Sequence, residues 1–245
     1  MALRILFAGS VAKHVDSPED NEDAFRSAPE RGRVVLSDGA SESFDARGWA
    51  NLLVDQFIDA DPSHETILQC IDAYAQLHDP DTLSWSKAAA FARGSFATMV
   101  IAQDDPDRHA ITVTALGDSL AVWTDGGALL HTAPYAHADQ FSEKPTLIST
   151  RSEFNQRSDG SESNEWTQAT WEYEDQGYRV LLCMTDALGA WLLRHEEAGD
   201  PSALERLHAI REIPELVDLV ESERASGALR RDDSTLIIAT LTASP

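Results

Sequence analysis

The sequence predicts an α+β fold in which helices cover largely antiparallel sheets, and three observations carry that reading. Short apolar runs of strand length occur near both ends of the chain and through its middle. Apolar residues at helical spacing fill two blocks between them, residues 45–74 and 188–226. The two periods come in runs rather than alternating one for one, as βαβ units require, so a layered arrangement fits better than a doubly wound parallel sheet.

Taken in order, Leu3 to Ala8 reads as a strand and is followed by the polar segment KHVDSPEDNEDAF. Arg33-Val34-Val35-Leu36 is a short interior strand, because branched apolar residues suit a pleated surface, and it stops at Asp38-Gly39. Trp49, Leu52, Leu53 and Phe57 then fall at helical spacing, and Ile67, Ile71 and Tyr74 repeat it after the Asp61-Pro62-Ser63 break. A weaker helical stretch covers Ser86 to Arg93. The strands GSFATMVIAQ, HAITVTALGD and SLAVWTD follow, and an Asp125-Gly126-Gly127 turn leads into ALLHT, the pattern of an antiparallel meander. Residues 133–176 are polar and poorly periodic, and a connection of that length is expected to be a flap or variable insertion. The strand YRVLLCMTD restores order, helices are expected over Leu188–Glu196, Ala203–Ile210 and Glu215–Ser226, and STLIIATL is the closing strand. No Gly/Ser-rich or Pro-rich linker interrupts the chain, so residues 1–245 are expected to form a single domain.

Composition excludes several function classes. The formal charge is −23, from 42 acidic and 19 basic residues, which disfavours nucleic-acid binding because phosphate-backbone affinity rests on Lys and Arg. Cys70 and Cys183 are the only cysteines, too few for a disulfide framework or a zinc knuckle, and Cys183 lies in the apolar run VLLCM. The N-terminal MALRILFAGS is too short in its apolar run for a signal peptide, and no stretch approaches about 18 apolar residues, so a cytoplasmic protein without membrane contact is expected. G-x-S-x-G, P-loop, G-x-G-x-x-G and H-E-x-x-H motifs are absent. Asp79-Pro80-Asp81 has no buried strand before it and reads as a helix-ending turn. DGASESFD lacks the alternating ligands and terminal Glu of an EF-hand.

What remains is a recurrence. Glu22-Asp23 precede the apolar Ala24-Phe25, Asp38, Asp118 and Asp186 each end an apolar strand, and Asp232-Asp233 introduce the last one. If these strand ends lie together, unit charges at 4 Å repel by roughly 4 kcal/mol at an effective dielectric of 20, so cations would have to hold them. No His or Cys accompanies the positions, and an oxygen-only donor set points to Mg²⁺ or Mn²⁺. Two such ions about 3.5–4 Å apart can share a carboxylate and a water and orient that water for in-line attack on a phosphoryl group.

The ordered series NEDAF, VVLSDGAS, GSFATMVIA, ALGDSLAVW, LLCMTDALGAWLL and RDDSTLIIATL resembles the motifs of the metal-dependent type 2C serine/threonine protein phosphatases in their bacterial form, from residue 21 to residue 241. The resemblance implies a four-layer αββα sandwich, two antiparallel sheets flanked by helices. It also implies hydrolysis of phosphoserine and phosphothreonine in proteins, and a partner Ser/Thr kinase. By position, Asp38 would bridge two ions, the Gly39 carbonyl would ligate one, Asp186 and Asp232 would complete the coordination of the first ion, and Glu22 and Asp23 would bind the second ion directly or through water. Asp118 matches a third-ion position. The chain also departs from the pattern. Pro18 stands where many members have a phosphate-gripping Arg, which leaves Lys13 or His14 to serve instead. Ala40 stands where some have a His proposed as general acid, Ala187 follows Asp186 in place of Gly, and Ala190 replaces a third-ion carboxylate. Two alternatives stay open on these grounds: a catalytically weak regulatory protein that keeps the fold, and a phosphomonoesterase for small molecules.

Overall fold

Alternation along the strands divides apolar residues between two faces, and in the central strands both faces are buried. The computed structural model describes residues 2–155, 166–174 and 178–242. In chain order these form β1 (Ala2–Val11), β2 (Ala24–Ala28), β3 (Arg33–Ser37), α1 (Ala46–Phe57), α2 (His64–Leu77), α3 (Trp85–Arg93), β4 (Phe96–Ala97), β5 (Met99–Asp105), β6 (Ala110–Leu116), β7 (Leu120–Thr124) and β8 (Leu129–Ala133). There follow β9 (Ile148–Ser149), β10 (Thr167–Glu172), β11 (Val180–Met184), α4 (Asp186–Glu197), α5 (Ser202–Ala209), α6 (Ile213–Ser226) and β12 (Ser234–Thr242). One five-stranded sheet has the order β1-β12-β11-β7-β8 and the other β10-β6-β5-β3-β2, with antiparallel pairing throughout.

The period of two assigns each strand residue to a layer. Leu181 and Cys183 of β11 meet Val34, Leu36 and Val113 in the core between the sheets. Val180, Leu182 and Met184 point the other way, against Trp191, Leu204, Leu216 and Val220 of α4–α6. Val35, Met99 and Ile101 form the outer face of the second sheet and pack on Trp49, Leu53, Phe57, Ile67 and Tyr74 of α1 and α2. The layers are therefore helix, sheet, sheet, helix, the expected αββα sandwich. Side-chain caps start three of the helices: Asp45 Oδ1 accepts from the Gly48 amide at 2.9 Å, and Ser63 and Ser84 do the same for α2 and α3. Trp49 and Trp191, at helical spacing in the sequence, are both fully buried.

Register brings one end of both sheets together. Ser37 at the end of β3 pairs with Ala24 at the start of β2, Met184 at the end of β11 pairs with Leu236 near the start of β12, and Val11 at the end of β1 pairs with Ser234. Leu116 at the end of β6 pairs with Met99 at the start of β5. Every acidic motif thus follows or precedes a strand terminus on this one edge.

Three segments differ from the sequence expectation. GSFATMVIAQ is interrupted at Thr98, so that β4 leaves the five-stranded sheet and pairs with β9. Residues 24–28, which start at the last two residues of the segment read as polar, form the edge strand β2, in which only the terminal alanines are buried. Within the expected flap, β10 is a second edge strand on β6, with Trp171 its buried residue. An edge strand with one solvated face and few apolar residues offers little period to read. Residues 156–165 and 175–176 of that expected flap lie outside the described residues.

The layer assignment makes a stability prediction. Leu181→Ala, which empties a site between the sheets, is expected to cost about 2–5 kcal/mol by urea denaturation. Leu130→Ala, on β8 and 38% exposed, should stay within about 0.5 kcal/mol.

Candidate metal centre

Asp38 is fixed by the chain on both sides of it. Its amide donates to Thr98 Oγ1 at 3.1 Å, its carbonyl accepts from the Thr98 amide at 2.8 Å, and Thr98 Oγ1 is 2.6 Å from Ser119 Oγ. Gly39 forms a bridge with Ala97, and a Cβ at this position would lie 2.8 Å from the carbonyl oxygens of Ala46 and Glu22. Only glycine lets the turn lie against both neighbours. Asp118 follows Gly117, whose φ of +101° and 2.7 Å approach of a Cβ to the Thr98 side chain impose the same requirement.

Asp186 is the first residue of α4, where unpaired amides and the helix dipole favour a carboxylate. The residue before it, Thr185, reaches back: its hydroxyl donates to Asp23 Oδ2 at 3.2 Å, and Thr235 Oγ1 donates to the same oxygen at 2.6 Å. Asp23 is thereby oriented by one residue from each of two other strand ends. Asp233 spends both oxygens on backbone, accepting from the amides of Lys13 at 2.6 Å and Glu22 at 2.7 Å. Buried Arg224 of α6 donates to the carbonyls of Ala12 (3.0 Å) and Asp232. These two side chains pin the β1–β2 connection to the start of β12, which brings Glu22 within the electrostatic reach of Asp232.

The cleft, about 150 Å³, is lined by Asp38, Gly39, Asp118, Asp186 and Asp232 together with Thr98 and Ser41. Burial pushes the Asp38 carboxyl well above the usual carboxylate range, and the charges of Asp23, Asp186, Asp118 and Asp232 push it further. Asp23 is raised in the same way, burial first, against the lowering effect of its Thr235 hydrogen bond. Asp118 is pushed up to about 7 by burial and by Asp186. Asp186 is raised by burial, with Arg230 opposing, and Glu22 by burial, with a hydrogen bond to Ser41 opposing. The charge of Asp232 acts on Glu22, Asp38, Asp118 and Asp186, and that of Asp186 on Asp23, Asp38 and Asp118, so these carboxylates form one electrostatic unit.

Of the two basic residues considered for phosphate contact, Lys13 is in this unit, its Nζ 3.9 Å from Asp232 Oδ1. His14 is exposed and is not among the residues that line the cleft. Arg230, overlooked in the sequence although it lies two residues before Asp232, bonds Asp186 Oδ2 and stands 3.0 Å from Asp232 Oδ2. Its guanidinium neutralises two of the carboxylates directly. Thr185, Thr235, Arg224 and Asp233 were also unread as positioning groups, since their roles depend on contacts 50 or more residues apart in the chain or on backbone partners.

The residues fit a divalent cation on chemical grounds. Asp23 Oδ1 and Asp186 Oδ1 are buried oxygens without a hydrogen-bond partner, costly for a carboxylate unless a cation meets it. The donors are all oxygen, as hard cations require. Against this, among the described residues no three acidic, His or Cys side chains converge closely enough to hold one ion as they stand. Orphaned oxygens and mutual repulsion weigh more, because carboxylate rotamers and the half-exposed Arg230 side chain adjust easily whereas buried charge does not.

Two measurements follow. Arg230→Ala, assayed by calorimetric titration with Mn²⁺, is expected to bind the ion about tenfold more tightly, the scale of removing one unit charge a few ångströms away in a solvated cleft. In EDTA-treated protein, Asp118 binds a proton more tightly folded than unfolded. Its stabilising contribution is therefore present below 3.8 and is lost as pH rises through about 7. Melting curves of Asp118→Asn should show less loss of stability than the parent chain over that window.

No family model and no curated protein matches the sequence. Solved structures do. The serine/threonine phosphatase PstP of Mycobacterium tuberculosis superposes with a TM-score of 0.62 at 16% identity, covering 99% of this chain and 100% of that one. PppA, a key regulatory component of the type VI secretion system in Pseudomonas aeruginosa, gives 0.60 at 18% identity over 98% and 97%. A serine/threonine phosphatase of Staphylococcus aureus gives 0.60 at 15% identity over 99% and 96%. At such identities the likeness is one of architecture, and it extends over the whole length of each partner: the chain has the fold of the type 2C serine/threonine phosphatases.

Proposed function

We propose that this chain is a metal-dependent protein phosphatase that hydrolyses phosphoserine and phosphothreonine monoesters, acting opposite a Ser/Thr kinase on shared protein substrates. The observation that supports the reading is that Asp38, Asp118, Asp186 and Asp232 line one cleft from separate strand ends, with the charge of Asp23 acting on Asp38, that of Asp232 on Glu22, and buried oxygens of Asp23 and Asp186 left without partners. Asp38 would be shared by two Mg²⁺ or Mn²⁺ ions, with Asp186 and Asp232 on one side and Glu22, Asp23 and the Gly39 carbonyl on the other. Asp118 would contribute to a third. When bound, such a pair supplies an acidified water aligned for in-line attack at phosphorus and neutralises charge on the phosphoryl oxygens.

The chain's own residues do the rest. Thr98 sets the direction of Asp38 through its backbone, and Thr185 and Thr235 set that of Asp23. Of the two candidates Lys13 and His14, attraction of the phosphate dianion is assigned to Lys13, since its ammonium is near Asp232. Ala40 leaves the turn after Asp38 without a proton donor, so alkoxide departure relies on solvent or on another group at the cleft mouth. A cytoplasmic setting accords with the absence, among the described residues, of any helix long and apolar enough to cross a membrane.

One observation favours a second reading, a regulator that keeps the fold with little turnover: Arg230 already occupies two of the carboxylates. Purified protein assayed with Mn²⁺ on p-nitrophenyl phosphate and on a phosphoserine peptide separates the two. The expected result is turnover of both that falls to the metal-free background with EDTA or in Asp38→Asn. Turnover that survives either change removes the two-ion assignment, and absence of turnover with retained Mn²⁺ binding supports the regulator.

A further inference from the structure

A second cavity, about 550 Å³, opens beside the acidic cleft and shares Ala40, Pro145 and Leu147 with it. Its wall is apolar: the rings of Phe96 and Phe154 lie 5.7 Å apart, and Phe154 is 55% exposed. Its rim is basic. Arg93, the last residue of α3, and Lys144 both line it and are exposed, with Glu42 the one acidic group among the lining residues.

Charge makes this combination unusual for the molecule. With 42 acidic residues against 19 basic ones cations are scarce, and several are held by carboxylates: Arg26, Arg31, Arg151, Arg206, Arg224 and Arg230 each pair with one. Neither Arg93 nor Lys144 has a carboxylate among the described residues within 4.0 Å, and the Arg93 guanidinium is engaged only with the carbonyl of Ala89 in its own helix. Two uncompensated cations over an aromatic wall, continuous with the cleft, suit an anionic and partly apolar ligand rather than solvent alone.

We propose that this groove holds the stretch of a phosphoprotein next to the phosphorylated residue, with one apolar side chain against Phe96 and Phe154 and one acidic side chain between Arg93 and Lys144. The inference rests on the phosphatase reading and narrows its substrates to acidic, partly apolar phosphosites. An extended chain advances about 3.3 Å per residue, so cavities that share lining residues are spanned by one to three positions. A small phosphorylated metabolite would fill the cleft and leave the groove unused.

The test compares p-nitrophenyl phosphate with two phosphoserine peptides, one flanked by Leu and Glu and the other by Gly and Lys. The Leu/Glu peptide is expected to have the higher kcat/KM. Arg93→Glu and Lys144→Glu should each lower it about tenfold and reverse the preference, and Phe154→Ala should lower it with both charges intact, while turnover of p-nitrophenyl phosphate is unchanged in all three. Equal treatment of the two peptides by the parent chain, or a parallel fall for peptide and p-nitrophenyl phosphate, overturns the groove. If nothing is hydrolysed, the phosphatase reading fails by itself. Fluorescence anisotropy of a labelled Leu/Glu phosphopeptide then reads the groove separately: weaker binding to Lys144→Glu supports it, and equal binding to both proteins overturns it.

Discussion

Burial and the charges of neighbouring carboxylates, Asp232 among them, both disfavour the ionised forms of Asp38, Asp118 and Asp186, and the fold has to hold these groups together against that cost. Much of the architecture near the cleft is explained by this demand. Carboxylates on flexible loops would drift apart. Here each one is within two residues of a strand terminus, and the strand behind it is packed on both faces. The cost of crowding is thus set against the apolar burial of three core layers, which none of the carboxylates provides itself.

Hydrogen bonds convert that scaffold into aim. Thr185 and Thr235 fix one oxygen of Asp23 and leave the other bare, which is how a ligand differs from a satisfied structural carboxylate. Asp233 is the contrast, next in sequence to Asp232 yet fully spent on two backbone amides. Arg224 adds a buried cation that neither enters the cleft nor reaches solvent and instead ties Ala12 to Asp232. Adjacent aspartates thus have opposite tasks, one open to an ion and one closing the loop that presents it.

The few cations have a matching division of labour. Lys13 and Arg230 meet the carboxylates, whereas Arg93 and Lys144 border the neighbouring groove. In a chain of charge −23, an anionic substrate approaches against the average field, so local positive groups at the cleft mouth decide where it docks.

The layered class and the identity of the acidic positions are legible in the amino-acid order alone. Period-two runs such as VLLCM and period-3.6 runs such as that from Trp49 to Phe57 reflect burial directly, and a carboxylate at a strand end is visible as a break in that pattern. Edge strands β2 and β10 escaped because a half-solvated strand has little alternation to show. Folding in three dimensions sets which strand ends share an edge, since that follows from register between β3 and β2, β11 and β12, and β6 and β5, and a slip of one residue would turn each face over. It also decides that Arg230 meets Asp186 and Asp232 and that Asp233 serves the backbone. These are facts of distance between segments far apart in the chain, and no local spacing encodes them.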